Sequence, residues 1–474
     1  MRIEILSNED MKKIHEASLA ILEVTGIRID HKETLEKLAD AGAMIDIKKN
    51  LVRFPADLVE HSVAKVPRTI WLAGRDPEYD HEISCDGDFL VRCGTGDTLV
   101  PAEKGGGFRA ATMKDQKEAG IISDGLGDIG FSGLMSIQDV PSKSADLYAT
   151  KILLENSRKH FMGLTMGSIN MKYLVEMQLA VRGTKEAMIQ RPLFHAIVCP
   201  MSPLYYPEDE IERLKVCGEY GLPVKVAVEP MLGVSAPVTL VGTIAQGNAE
   251  VLGAFTLLQS LYPGTATVYY CYPSAVEMRT GNSITGGPEN LLLYSAMAQL
   301  GTSYYKMPAE CPALVSDGFI FEQLLFQKGM GTLMAAASGA SILSGAGTLD
   351  GGMGSSLTQL AIDDEIVQIT RRMWAKFDVN EDKIGLDAVH RVGPKGHFIA
   401  DDHTYNHFRD EIRFYPTIFD FSTYSDWVKD SRGVHERAKN KVTEILNKHE
   451  VPPLEDAVIK ELERILKAAD REIV

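Results

Sequence analysis

The residues best suited to chemistry are aromatic rings and isolated carboxylates that recur in short runs. Tyr205 and Tyr206 close CPMSPLYY, Tyr269, Tyr270 and Tyr272 stand together in YYCYPS, and Phe319 and Phe321 end MPAECPALVSDGFIF. Glu229, Glu310 and Asp317 lie in the same or neighbouring runs, where Lys and Arg are scarce. A quaternary ammonium ion has no N–H, so hydrogen bonds cannot hold its head. Ring faces attract it through their quadrupole, by about 0.5–2 kcal/mol per contact. Tyr205, Tyr270, Tyr272, Phe319 and Phe321 are therefore candidate substrate-binding residues, joined by Thr95 of CGTGDT and by Glu310. Glu229 and Asp317 are candidate catalytic carboxylates that add attraction for a cation. Any single ring is equally at home in a packed core, alternation along a strand turns some rings outward, and each carboxylate has an ordinary structural role open to it.

Other chemistries find weaker support. The run GAGTLDGG offers backbone N–H groups, but no Lys or Arg beside it matches a phosphate dianion. Its glycines suit close approach of a bulky flat partner, which makes Gly345 and Gly347 candidate cofactor-binding positions. Cys199, Cys271 and Cys311 lie near three strand ends, as a thiolate–zinc site requires, yet His195 and Cys199 on one strand are too far apart to share a metal easily. No HExxH or GxSxG is present. His390, His397, His403 and His407 cluster late in the chain, and the pair at i, i+4 reads as structural. No metal site is expected.

These runs need a scaffold that gathers them. Short β-rich stretches near Phe89–Cys93, Ile129–Met135, His160–Leu164, Phe194–Cys199, Val224–Val228, Ala266–Cys271, Thr302–Lys306 and Ala340–Ser344 each precede a helix-length segment. Eight strand–helix units in alternation predict a parallel sheet closed into a (βα)8 TIM barrel, with the candidate residues at its C-terminal strand ends. Residues 1–85 read as a helical and mixed N-terminal segment, 86–375 as the barrel, and 376–474 as a C-terminal extension packed on it. Ser7 with Asp10 resembles a capping box that opens a helix. Ile459, Leu462, Ile465 and Leu466 form one stripe on a charged terminal helix, which predicts docking on the body.

Composition removes several classes of function. The net charge of −16 argues against a nucleic-acid partner, which needs a basic face. No apolar run reaches the roughly 20 residues of a membrane helix, and MRIEILSNED has no apolar signal core, so a cytoplasmic protein is expected. Six scattered cysteines then read as reduced thiols. A homo-oligomer is expected from the size of the barrel.

A wider pattern joins these residues. The blocks SPLYY, EYGLPVKV, APVTLVG, NAEVLGAFTLLQSLYPGT and MRTGNSITGGPE, with ASGASILSGAGTLDGG and GHFIADDHTYNHFRDE, make the chain resemble the trimethylamine methyltransferase family over nearly its whole length. The resemblance implies a barrel with helical additions and a separate corrinoid protein docking over the strand ends. It departs at one point. The family's trimethylamine enzymes carry pyrrolysine in the loop after the sixth strand, whereas the corresponding Ser316–Phe321 contains only ordinary residues. The chain thus resembles the non-pyrrolysine branch, which includes glycine betaine methyltransferases; the resemblance makes glycine betaine the favoured donor, and trimethylamine is not expected.

The residue-level chemistry agrees. A quaternary amine already carries the positive charge that makes a tertiary amine a good leaving group, so no acid, zinc or tightly bound cofactor is needed. A Co(I) corrinoid (cobalamin), supplied by the partner protein, is the implied acceptor. The remaining task is to aim one N–CH3 group in line and exclude water. Two alternatives stay open from sequence: a catalytically silent barrel that captures betaines, and a zinc-dependent corrinoid methyltransferase.

Overall fold

In the computed structural model, which describes residues 3–102, 107–319, 321–412 and 414–473, eight parallel strands form a closed ring. They are β1 (Leu90–Cys93), β2 (Phe131–Ser132), β3 (His160–Gly163), β4 (Phe194–Val198), β5 (Val224–Val226), β6 (Thr267–Val268), β7 (Glu310–Cys311) and β8 (Ile342–Ala346). Hydrogen bonds join them in the order β6-β5-β4-β3-β2-β1-β8-β7. A parallel bridge between Tyr269 and Ala309, just beyond β6 and just before β7, closes the circle. The crossover helices are α1 (Met113–Gly125), α2 (Ala145–Asn156), α3 (Ser168–Arg182), α4 (Glu208–Glu219), α5 (Leu240–Leu261), α6 (Pro288–Gln299) and α7 (Phe321–Ala337), and α8 (Leu357–Trp374) follows β8. The barrel with helical additions expected from the sequence is present.

One strand lies elsewhere. Thr302–Lys306 was expected as the seventh strand, but Leu300–Tyr304 instead prolongs α6 as a π-helical turn. Thr302 hydroxyl donates to the Ala298 carbonyl one turn back, and the Tyr304 and Tyr305 rings pack 5.3 and 5.7 Å from His15 of the N-terminal helix. Packing on a neighbouring layer thus overrides a locally β-prone composition. Lys306, at φ +57°, turns the chain into β7. The stretch Ser316–Phe321 follows β7, so it belongs to the seventh strand's loop and not to the sixth's. Ile320 within it lies outside the described residues.

The N-terminal segment adds a second layer. Helix Asn8–Ala20 starts at the reciprocal Ser7–Asp10 cap and lies against α5. That helix is sandwiched between this layer and the barrel, which is why its 22 residues are apolar nearly all round. Gly253 of α5 admits Ile27, whose Cδ1 would stand 2.2 Å from any added Cβ. A hairpin, Thr69–Leu72 with His81–Ser84, plugs the N-terminal end of the barrel. Its Ile70, Leu72 and Ile83 pack on Phe131, Val268 and Ile342 from β2, β6 and β8.

In the C-terminal extension, buried Glu365 of α8 holds the incoming chain. Its carboxylate accepts from Thr417 N and Oγ1, Ile418 N and Phe419 N at 2.6–3.0 Å. Helix Asp456–Ile473 buries Leu462, Ile465, Leu466 and Ala469 and is pinned to α2 and its approach by Asp470, which accepts from Ser144 and Tyr148 hydroxyls at 2.6 and 2.8 Å.

Candidate active site at the barrel mouth

The barrel interior is layered from floor to mouth. Above the hairpin plug sits an ionic layer. Oε1 of Glu310 (β7) accepts from Arg92 (β1) Nη2 at 3.0 Å and Nε at 3.2 Å, and from Lys225 (β5) Nζ at 2.9 Å. All three side chains are buried. Burial alone would raise the Glu310 carboxyl, but Lys225 and Arg92 outweigh it and hold it well below the ordinary range. Burial lowers Lys225 to about 8 while Glu310 holds it up. Met162, Ile197, Ala227 and Tyr270 form the next layer, with Leu164, Cys199 and Tyr272 packed on it.

At the C-terminal strand ends opens a cavity of about 810 Å³, walled by the loops after β5, β6, β7 and β8. Glu229 and Met231 come from the first of these, and Tyr272 and Ser274 from the second. The second loop also carries a hairpin, Ala275–Val276 with Ser283–Ile284, that supplies Glu277, Asn282, Ser283 and Thr285. Asp317, Asp350, Gly351 and Met353 complete the wall.

The structure therefore brings Glu229, Tyr272 and Asp317 together. Glu229 is reached by solvent through the cavity and has no hydrogen-bond or ion-pair partner among the described residues. Protein crowds its other sides, and the lost hydration raises its carboxyl above the ordinary value, with Lys225 opposing. Tyr272 belongs to an offset ladder of rings, 5.5 Å from Tyr294 and 6.4 Å from Tyr270. Asp317 is already occupied: its carboxylate accepts from Thr285 N and Oγ1 and from Gly286 N at 2.7–2.8 Å, and so fixes the hairpin's return.

The other candidates are placed elsewhere. Tyr205 pairs with the N-terminal layer beside Arg28, donates to Asp30 at 2.7 Å and carries the Arg28 guanidinium over its ring. Tyr270 is inside the barrel with the Lys225 ammonium 4.2 Å from its centroid, so a cation already occupies it. Phe319 is exposed and leans, at 4.3 Å, on Phe108 of the antiparallel pair Leu99–Pro101 and Phe108–Ala110 that follows β1. Phe321 begins α7 and turns to the C-terminal extension, 5.4 Å from His435. Thr95 accepts from Arg92 Nη1, and Glu310 is the core ion pair. An added Cβ on Gly345 would stand 2.6 Å from Val315, and one on Gly347 3.2 Å from Leu360. Those faces are filled by protein, whereas Gly351 lines the cavity and the neighbouring Gly352 borders open space.

Cys199, Cys271 and Cys311 do not converge. Cys271 Sγ points out of the barrel against Gly247 of α5, burial pushes Cys199 up to about 12 and raises the other two thiols further, and no three His, Cys, Asp or Glu side chains among the described residues are grouped to hold a metal. The His403 and His407 rings lie 4.5 Å apart, tilted against each other, in the extension.

Residues that a reading of loops alone misses are Arg92, Lys225 and Asp97. For Arg92 and Lys225 the signal was a lone basic residue within an apolar parallel strand, LVRC and VKV, which demands a buried counter-ion; Asp97 stands in the CGTGDT run, where nothing local marks it as buried. Asp97, after β1, is buried with Oδ1 unpartnered among the described residues. Burial raises it to about 7, with Lys328 and Arg92 opposing.

Residues 1–473 match the family model described as trimethylamine methyltransferase (MTTB). The chain belongs to that family. Curated relatives include the trimethylamine methyltransferase MttB of Desulfitobacterium hafniense, 28% identical over 98% of this chain and 94% of the relative. The glycine betaine methyltransferase of the same species is 29% identical over 100% and 98%. Among solved structures, the Methanosarcina barkeri monomethylamine methyltransferase (MtmB) aligns with a TM-score of 0.56 over 99% of this chain and 88% of that one, at 11% identity, a likeness of fold. As a member of the MTTB family the chain is a methyltransferase. No helix among the described residues is long and apolar enough to cross a membrane.

Proposed function

We propose that this MTTB-family enzyme takes a methyl group from a small quaternary amine and delivers it to a Co(I) corrinoid carried by a separate protein. One observation carries the reading: the cavity holding Glu229 and Tyr272 opens on a rim of exposed apolar side chains. Met166, Met201, Val234, Val238, Met278, Phe319 and Met353 stand there, on the loops after β3 through β8. Exposed apolar groups gathered around a polar cavity mark a docking face. The uncovered backbone at Gly352, beside Gly351 on the cavity wall, suits close approach of a flat macrocycle.

The corrinoid supplies the nucleophile for the transferred methyl. The chain's own residues do the rest. Glu229 attracts the ammonium without a proton to transfer, and Tyr272 closes the wall beside it. As the C–N bond breaks, its electron pair stays on nitrogen and a neutral tertiary amine remains, so no general acid is required. Glu229 thereby favours the charged donor over the neutral product, and the docked partner excludes water.

The test is incubation with reduced corrinoid and a panel of glycine betaine, proline betaine, carnitine, butyrobetaine, choline, tetramethylammonium and trimethylamine. Loss of the Co(I) absorbance with release of the demethylated amine is expected for a quaternary donor. Turnover of trimethylamine alone overturns the reading.

A further inference from the structure

The charge on the cavity wall bears on which quaternary amine fits. Every betaine has two ends, and its carboxylate needs a cation or a cluster of donors. The described residues of this wall provide four carboxylates, Glu229, Glu277, Asp317 and Asp350, and no Lys, Arg or His. Asp317 is satisfied by Thr285 and Gly286, and Glu277 by Arg279, which is directed to solvent. Glu229 and Asp350 keep side chains without a hydrogen-bond or ion-pair partner among the described residues. The two cations nearest below, Lys225 and Arg92, are both bound to Glu310 and buried in the layer beneath. The remaining polar groups on the wall include Ser274, Asn282 and Ser283, which are neutral.

We propose that the donor carries a net charge of +1: a quaternary ammonium whose far end is a hydroxyl or an alkyl group, as in an N,N,N-trimethyl amino alcohol, and not a betaine. The inference rests on the methyl-transfer reading above. It departs from the glycine betaine that the family resemblance brings forward. Two unpaired carboxylates attract the ammonium head, whereas a second carboxylate on the ligand would meet them without a counter-ion in a cavity poorer in water than bulk. A hydroxyl finds partners at the hairpin side, where Ser274, Asn282 and Ser283 serve as donor or acceptor.

Two measurements test it. Calorimetric titration of the full chain with choline, tetramethylammonium and glycine betaine should give at least about tenfold tighter binding for the two cations. Turnover with reduced corrinoid should rank them in the same order. Glu229→Gln should weaken tetramethylammonium about tenfold while leaving glycine betaine unchanged or tighter. Should that variant melt early, Asp350→Asn serves as the second probe with the same direction expected. Preferred binding and turnover of glycine betaine would overturn the inference and leave methyl transfer standing. Equal effects of Glu229→Gln on both ligand types would also overturn it. Absence of demethylation for every quaternary amine would instead overturn the reading on which it rests.

Discussion

Glu310→Gln separates a structural ion pair from a binding group most cleanly. The substitution keeps the side chain's size and an acceptor oxygen but removes the charge that Arg92 and Lys225 share at 3.0 and 2.9 Å. The side chains of these two cations are 7% and 1% exposed, so neither recovers its hydration. Removing one partner of such a buried set costs about 3–5 kcal/mol. For 474 residues unfolding in one step, the entropy of unfolding is about 1 kcal/mol per degree, so the melting temperature should fall by about 3–5 °C. The loss should depend on pH in a definite sense. Lys225 is held at about 8 with Glu310 present and drops lower without it, so the unpaired cation is most costly below pH 7. Above pH 8 it is neutral in both proteins, and the penalty shrinks toward the Arg92 share. Thermal and urea melts at pH 6 and pH 9 measure this, with steady-state constants alongside. An unchanged melting temperature with a raised KM would refute the reasoning and return Glu310 to the substrate.

Three further outcomes are expected. Tyr272→Ala removes part of the cavity wall and should weaken donor binding about five- to thirtyfold, or about 1–2 kcal/mol, besides lowering the melting temperature through the lost stack on Tyr294; an early melt with normal kinetics would make the ring a core residue only. Phe321→Ala should spare binding, lowering stability by about 3–5 kcal/mol or less while kcat/KM of the folded enzyme holds; a selective rise in KM would contradict its placement against His435. For Asp97, raised by burial to about 7, the protonated form is favoured in the fold, so stability should fall as pH rises from about 4 to 7 and then level off. Asp97→Asn should remove that slope and gain up to about 4 kcal/mol at pH 8; parallel stability curves for both proteins from pH 4 to 8 would disprove it.

Periodicity read most of the fold because parallel strands buried on both faces leave apolar runs that stop at Gly, Pro and Ser. FHAIV and VKV are such runs. It missed β7 because Glu310–Cys311 is two residues long and contains a charge, while the neighbouring Thr302–Tyr305 looks more strand-like and is recruited by the N-terminal layer. For the site, composition located the loops but not the direction of their side chains. Tyr269, Tyr270 and Tyr272 are adjacent in sequence, yet one packs outward against Phe255, one lies under Lys225 and one lines the cavity. Phe321 looked like part of a loop but opens a helix, whose first turn faces the extension. Those directions depend on register and on distant partners, which no local pattern encodes.

The plugged floor also sets an order of events for the proposed transfer. With Ile70, Leu72 and Ile83 sealing one end and the ion layer above them, the described residues make the barrel a blind well entered from its mouth. A small donor and a large docking partner must share that mouth. The amine therefore has to be inside before the partner arrives, and its demethylated remnant can leave only after the partner lets go. Kinetics should be sequential and ordered, with excess partner protein inhibiting by closing empty wells.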